Sequence, residues 1–298
     1  ANRITFAWDV LAKKPVIYRS GKREAVGDKE REINLKLSTR KDLFVAASEI
    51  VDYKGPHSEP VGYCNLKGDI VGPSLKEPNE SLQIQNSEKL FVSKTGMILD
   101  LLERGCVNFL FSTDQMTAPI FLKIILGSLR GLSVLHNEFK IVHLDIKTEN
   151  ILLTKDFEVK IADFGHARNP GDKILLDFTR HYVPPEILKL VPLKALHFYK
   201  ADFPGDIWSL GVAIIRMVSA KIDKQVWEEW DKVFLEMIKS QSDKPKLVSD
   251  FLSYLKDILK TNSQDEILKI SPLLEKCLQV YPQDRITASE ALEEMEAI

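Results

Sequence analysis

The sequence predicts an α+β chain of two lobes, a small β-rich N-terminal one and a larger helical C-terminal one. Two observations carry that prediction. β-Branched and aromatic residues crowd positions 4–19 and recur in FVAASEIVDY (44–53) and FVSKTGMILDLL (91–102), a composition that favours short strands. From residue 119 onward the chain reads as helical, beginning with IFLKIILGSLRGLSVLH (120–136), whose apolar residues recur at helical spacing. The boundary falls near 102–106, giving an N-terminal part of 1–102 and a C-terminal part of 103–298.

Each element follows from its own stretch of residues. DKEREINLKLST, 28–39, is a charged amphipathic helix. Residues 54–89 are rich in Gly, Pro, Asn and Ser and read as an insertion or long loop. After the first long helix come IWSLGVAIIRMVSA, QVWEEWDKVFLEMIKS, VSDFLSYLKDILK and PLLEKCLQV, all with helical periodicity. No repeat and no low-complexity tract interrupts them.

Composition narrows the class. Hydrophobic residues at 44% and charged residues at 28% fit a soluble globular chain rather than a disordered one. A net charge of -2 supplies no basic field for nucleic acid or anionic lipid. No uninterrupted apolar run reaches the roughly 20 residues that span a bilayer, so no membrane span is expected. Cys64, Cys106 and Cys277 lie far apart and follow no metal-ligand spacing, which fits reduced thiols in the cytoplasm.

The chemistry is concentrated in VHLDIKTENILL, 142–153. It matches the pattern H-x-D-x-K-x-x-N between apolar flanks. Asp163-Phe164-Gly165 follows, inside KIADFGHAR, joined to the first motif by the hairpin-like ILLTKDFEVKIA. Three further pieces come in order: TRHYVPPE (179–186), DIWSLG (206–211) and PQDRITASEAL (282–292).

In order and spacing these motifs resemble the catalytic domain of eukaryotic-type protein kinases, over roughly 95–292. The resemblance implies ATP as phosphate donor, Mg2+ as cofactor and a protein substrate. Asp145 would accept the proton of the attacking hydroxyl, and Lys147 would meet the transferring phosphoryl group. Asn150 and Asp163 would hold magnesium. Thr179 would bridge Asp145 and Lys147, and with Lys147 it is similar to the serine/threonine-specific kinases. Arg285 would pair with Glu186 as a buried structural ion pair.

TGMILDLLERG, 95–105, resembles the strand that runs into the hinge. It makes Leu99 the gatekeeper, with the backbone of Asp100 and Leu102 facing the adenine edge and Leu152 beneath the base. Lys13, in VLAK, is the expected phosphate-binding lysine, with Lys14 and Arg19 as the other choices. Glu32, 19 residues after Lys13, is its expected partner. Lys36, one turn after Glu32, is polar where the family pattern is apolar.

Two departures bear on function. No Gly-rich phosphate loop precedes residue 40, where the only glycines are Gly21 and Gly27. Leu144 stands where regulated kinases carry an arginine that holds an activation-loop phosphate, so activity is expected without such phosphorylation. The alternative is a pseudokinase, or a nucleotide-binding scaffold on the same fold that docks a partner through 54–89 or through Trp227 and Trp230. A bare domain of this kind would also suit a secreted bacterial effector acting in a host cytosol.

Overall fold

β-Branched and aromatic residues near the N-terminus favour extended backbone, and in the computed structural model they form an antiparallel hairpin. The structure describes residues 3–9, 14–20, 28–46, 49–52, 63–64, 70–71, 95–100, 102, 104–113, 115–175, 179–188, 198–239 and 244–298. It divides into two compact units, Ala1–Leu102 and Glu103–Ile298.

In the first unit, β1 (Arg3–Asp9) pairs with β2 (Lys14–Ser20) from Arg3↔Ser20 to Asp9↔Lys14. α1 (Asp28–Leu37) follows and buries Glu30, Ile33, Asn34 and Leu37 on one face. That spacing of three and four residues is the helical period. β3 (Glu49–Asp52) lies within the predicted 44–53; Phe44, Val45 and Ala46 before it are buried, Phe44 in a β-bridge. Within the predicted insertion, β4 (Tyr63–Cys64) pairs with β5 (Ile70–Val71), and the rest of 54–89 lies outside the described residues. β6 (Thr95–Asp100) lies between β2 and β3, giving the strand order β1-β2-β6-β3.

In the second unit, α2 (Ala118–Asn137) starts with Pro at its first turn and buries Phe121, Ile124, Ile125, Leu129, Leu132 and Leu135. By length and composition it could cross a membrane; its apolar face is instead taken up by the core of the unit. β7 (Ile151–Leu153) and β8 (Val159–Ile161) form the hairpin foreseen between the two motifs. α2 lies directly on β8. A Cβ at Gly127 or Gly131 would come within 2.7 Å of Val159 or Ile161 side-chain carbons, so only glycine permits that approach.

β9 (Lys173–Leu175) pairs antiparallel with β10 (Phe198–Lys200), with α3 (Pro185–Leu188) between them in sequence. Then come α4 (Phe203–Lys221), α5 (Gln225–Lys239), α6 (Lys244–Thr261), α7 (Asp265–Leu268), α8 (Ser271–Cys277) and α9 (Ala288–Glu296). Trp208 of α4, Trp230 of α5 and Phe251 of α6 stack in series, at 6.0 and 5.1 Å between centroids. Trp230 is fully buried and is therefore core rather than a docking surface.

Candidate active site

The site is organised by one carboxylate. Asp206, in the first turn of α4, is fully buried. Its Oδ2 accepts the His143 amide N–H at 2.7 Å and lies 2.9 Å from His136 Nε2, while its Oδ1 accepts the Leu144 amide N–H at 2.8 Å. Three donors replace the water that burial removes. They also hold Leu144 at φ 66°, a left-handed conformation that costs a non-glycine residue roughly 1 kcal/mol or more. The resulting reversal sets Asp145 beside Lys147, Asn150 and Thr179.

His143 fixes the turn from inside. Its Nδ1 accepts the Asp145 amide N–H at 3.3 Å, which assigns the ring proton to Nε2. Nε2–H then donates to the Ala162 carbonyl at 3.0 Å. The His143 ring lies 5.1 Å from that of Phe164.

Asp145 uses both oxygens. Oδ1 accepts from Thr179 Oγ1 at 2.7 Å; Oδ2 accepts from Lys147 Nζ at 2.7 Å and from Asn150 Nδ2 at 3.0 Å. Lys147 Nζ also donates to Thr179 Oγ1 at 2.9 Å, closing a triangle. Asn150 Nδ2 reaches the Asp145 carbonyl at 2.8 Å. With the amide hydrogens of Asn150 committed, its side-chain oxygen is the atom it offers to a ligand.

Asp163 has φ 64° and accepts the Gly165 amide N–H at 3.3 Å. The Ala162 amide donates to the Asn150 carbonyl at 2.9 Å, so the chain segments bearing Asn150 and Asp163 are joined directly. A carboxylate and an amide oxygen are hard donors of the kind magnesium takes, with water completing its shell. Among the described residues no group of three or more His, Cys, Asp or Glu side chains is placed to hold a metal.

Leu99 and Asp100 are in β6, paired with Ile17 and Val16 of β2. Leu102 is buried, and Leu152 is half-buried in β7, bridged to Cys106. Lys13 lies outside the described residues; Lys14 opens β2 opposite Asp9, and Arg19 sits within β2 opposite both Ile4 and Met97.

Glu32 faces solvent, with its carboxylate on Lys36 at 2.6 Å and Lys29 at 3.2 Å. The hydrogen bond from Lys36, then that from Lys29, holds the carboxyl below its usual range. The buried carboxylate of α1 is Glu30, and one turn later Asn34 Nδ2 donates to the Glu30 carbonyl at 2.9 Å.

The segment after Asp163 is anchored at both ends. Arg168 exchanges backbone hydrogen bonds with Val142, at 2.8 and 2.9 Å. At the other end Arg285 grips Glu186 with Nη1 at 2.8 Å and Nη2 at 2.6 Å, and it also donates to the carbonyls of Gln279, Pro204 and Val280. All five guanidinium N–H groups are thereby used, as a buried charge requires. Between them, Tyr182 is buried with its hydroxyl 3.4 Å from Thr148 Oγ1. Burial pushes its phenol up to about 12, with the Glu149 carboxylate adding to that rise and the Thr148 hydrogen bond and Arg216 opposing it.

The protein kinase domain family matches residues 84–295 of the chain. The chain belongs to the protein kinase family, whose fold accounts for the small sheet and the helix-rich second unit. It is 31% identical over 217 residues to the serine/threonine-protein kinase cds1 of Schizosaccharomyces pombe, covering 70% of this chain and 42% of that one. It is 30% identical over 199 residues to mitogen-activated protein kinase 14 of Xenopus laevis, covering 62% and 53%. A G-type lectin S-receptor-like serine/threonine-protein kinase of Arabidopsis thaliana is 28% identical over 215 residues, covering 68% and 25%. The chain thus spans between a quarter and about half the length of these relatives.

Proposed function

We propose that this chain, as a bilobal kinase, transfers the terminal phosphoryl group of ATP to serine or threonine hydroxyls of a protein substrate, with Mg2+. The observation that carries the reading is the closed triangle of Asp145, Lys147 and Thr179, at 2.7, 2.9 and 2.7 Å. Asp145 is a carboxylate held at two oxygens and flanked by a cation. In the proposed step it takes the acceptor hydroxyl's proton while the new O–P bond forms and the bond to the ADP bridging oxygen breaks. Lys147 balances charge on the phosphoryl oxygens. Magnesium, held by Asp163 and Asn150, would neutralise the phosphates. The backbone at Asp100 and Leu102 would meet the adenine edge, next to Leu99 and with Leu152 beneath the base.

The same reading includes activity without phosphate on the segment 163–186. Leu144 lines a small space with Ile146, Val183, Ile187 and Tyr199 together with Asp145 and Asp206, and no Lys or Arg side chain lines it. Arg168 spends Nη1 on the carbonyls of Ala167 and Gly165, at 2.7 and 3.4 Å. The segment is tied by backbone instead: β9 pairs with β10, Gly171 N–H donates to Ala201 at 2.8 Å, and Ala201 N–H donates to Asp172 at 2.9 Å. Ile174 is buried, which supports ordering of the segment by apolar contacts. The test is phosphatase treatment of the purified protein. The reading expects an unchanged transfer rate and no gain from Leu144→Arg. A large fall traced to a residue between 166 and 182 would refute it.

A further inference from the structure

We propose that Arg216 makes this kinase select protein substrates carrying an acidic side chain close to the acceptor hydroxyl. The inference rests on the phosphoryl-transfer reading above and adds the substrate class to it.

Arg216 is half-buried in α4, ten residues and roughly 15 Å of helix beyond Asp206. Its guanidinium carbon stands 4.8 Å from the centroid of the Trp227 ring and 5.8 Å from that of Phe111. Stacking on aromatic faces holds the planar head in one orientation and limits its hydration. No carboxylate among the described residues lies within ion-pair distance of it, whereas Arg285 in the same unit is fully paired. A partly desolvated, pre-oriented guanidinium with unused donors is a receptor for a carboxylate.

Its position ties it to the acceptor site. Trp227, on which it stacks, lies 6.3 Å from the ring of Tyr182, and Arg216 acts electrostatically on that phenol. Tyr182 donates its amide N–H to the carbonyl of Thr179, the residue bonded to Asp145 and Lys147. An extended peptide advances about 3.4 Å per residue, so a side chain four or five residues from the acceptor hydroxyl reaches about 15 Å along the chain, the length of helix between Asp206 and Arg216.

Neighbouring charges do not cancel the effect. Asp231 is engaged by His181 Nε2 at 2.7 Å. Glu149 acts electrostatically on the same phenol but is exposed, and its Oε2 accepts from Thr148 Oγ1 at 3.3 Å. A solvated carboxylate is screened and worth little at a distance. The stacked arginine therefore sets the local preference, and the exposed Arg180 has the same sign.

The experiment uses synthetic serine peptides in which Asp and its uncharged isostere Asn are exchanged in turn at each flanking position, with kcat/KM measured for both. Wild-type protein should prefer Asp at one or more positions by about fivefold to tenfold, the scale of a charge-assisted bond at a half-exposed site. Arg216→Gln should bring that ratio close to one, Arg216→Lys should keep part of it, and Arg216→Glu should favour Lys at the same position. Equal rates for Asp and Asn peptides, or a ratio unmoved by Arg216→Gln, overturn the proposal while leaving phosphoryl transfer intact. Transfer to no peptide or protein acceptor at all overturns the functional reading, and this inference with it. Should Arg216→Gln fail to melt like wild type, the wild-type Asp-to-Asn ratio and Arg216→Lys decide the matter.

Discussion

Asp206→Asn is the substitution with the most calculable consequence. The wild-type carboxylate faces three donors: the amides of His143 and Leu144 and the His136 ring. An amide side chain has one oxygen and one NH2. Whichever way it turns, its NH2 meets a backbone N–H, so one hydrogen bond to a charged group is lost and a buried donor is stranded. That costs about 2–4 kcal/mol. Leu144 can recover about 1 kcal/mol by leaving its left-handed conformation, for a net loss of roughly 1–3 kcal/mol. A unit of this size loses about 2–4 °C per kcal/mol, so the expected fall in Tm is about 2–12 °C. Thermal melting by circular dichroism measures it, with exposed Glu293→Gln as a control that should not shift. Phosphoryl transfer should fall more steeply than stability, because Asp145 loses its placement. A melting temperature within about 1 °C of wild type, with normal turnover, would refute the claim that this carboxylate holds the catalytic turn.

Three further outcomes follow from the same geometry. Thr179→Val removes the hydroxyl that touches both Asp145 and Lys147; kcat should drop by about ten- to hundredfold with melting unchanged, and an unaltered kcat would count against the triangle. Glu30→Gln should lower the melting temperature and the transfer rate, whereas solvent-facing Glu32→Gln should leave both unchanged; the reverse ranking would restore the register read from sequence. Lys13→Ala should cut transfer severely, and Lys14→Ala and Arg19→Ala less; a larger loss at Arg19, within β2, would move the phosphate anchor onto that strand.

The C-terminal motifs were legible because their chemistry imposes fixed spacing. Asp145, Lys147 and Asn150 must converge from one short turn, and the Arg285–Glu186 pair needs both partners to be buried at all. Thr179, 32 residues from Lys147, was recoverable only through the motif around it. The first unit was harder to read. Glu30 and Glu32 lie on the same charged helix, and only burial separates them. Composition placed strands at 44–53 and 91–102, and the described strands Glu49–Asp52 and Thr95–Asp100 fall within them, but their pairing with each other and with β2 was not legible in the composition. The β9–β10 pair was missed entirely, since three-residue strands such as KIL and FYK carry no period and gain their hydrogen bonds from a partner distant in sequence. Arg216 was equally silent: an arginine inside an apolar helix reads as a snorkelling surface residue until the rings of Trp227 and Phe111 are seen around it.

The central claim is that Asp145 serves as the base for phosphoryl transfer to a protein hydroxyl. The most direct measurement incubates the purified chain with terminally radiolabelled ATP, Mg2+ and a mixture of protein acceptors, alongside the Asp145→Asn variant, and identifies the labelled amino acid. Label on phosphoserine or phosphothreonine with the wild type, and only background with a variant that still melts normally, is the predicted result. No label from the wild type, or equal label from Asp145→Asn, would contradict it.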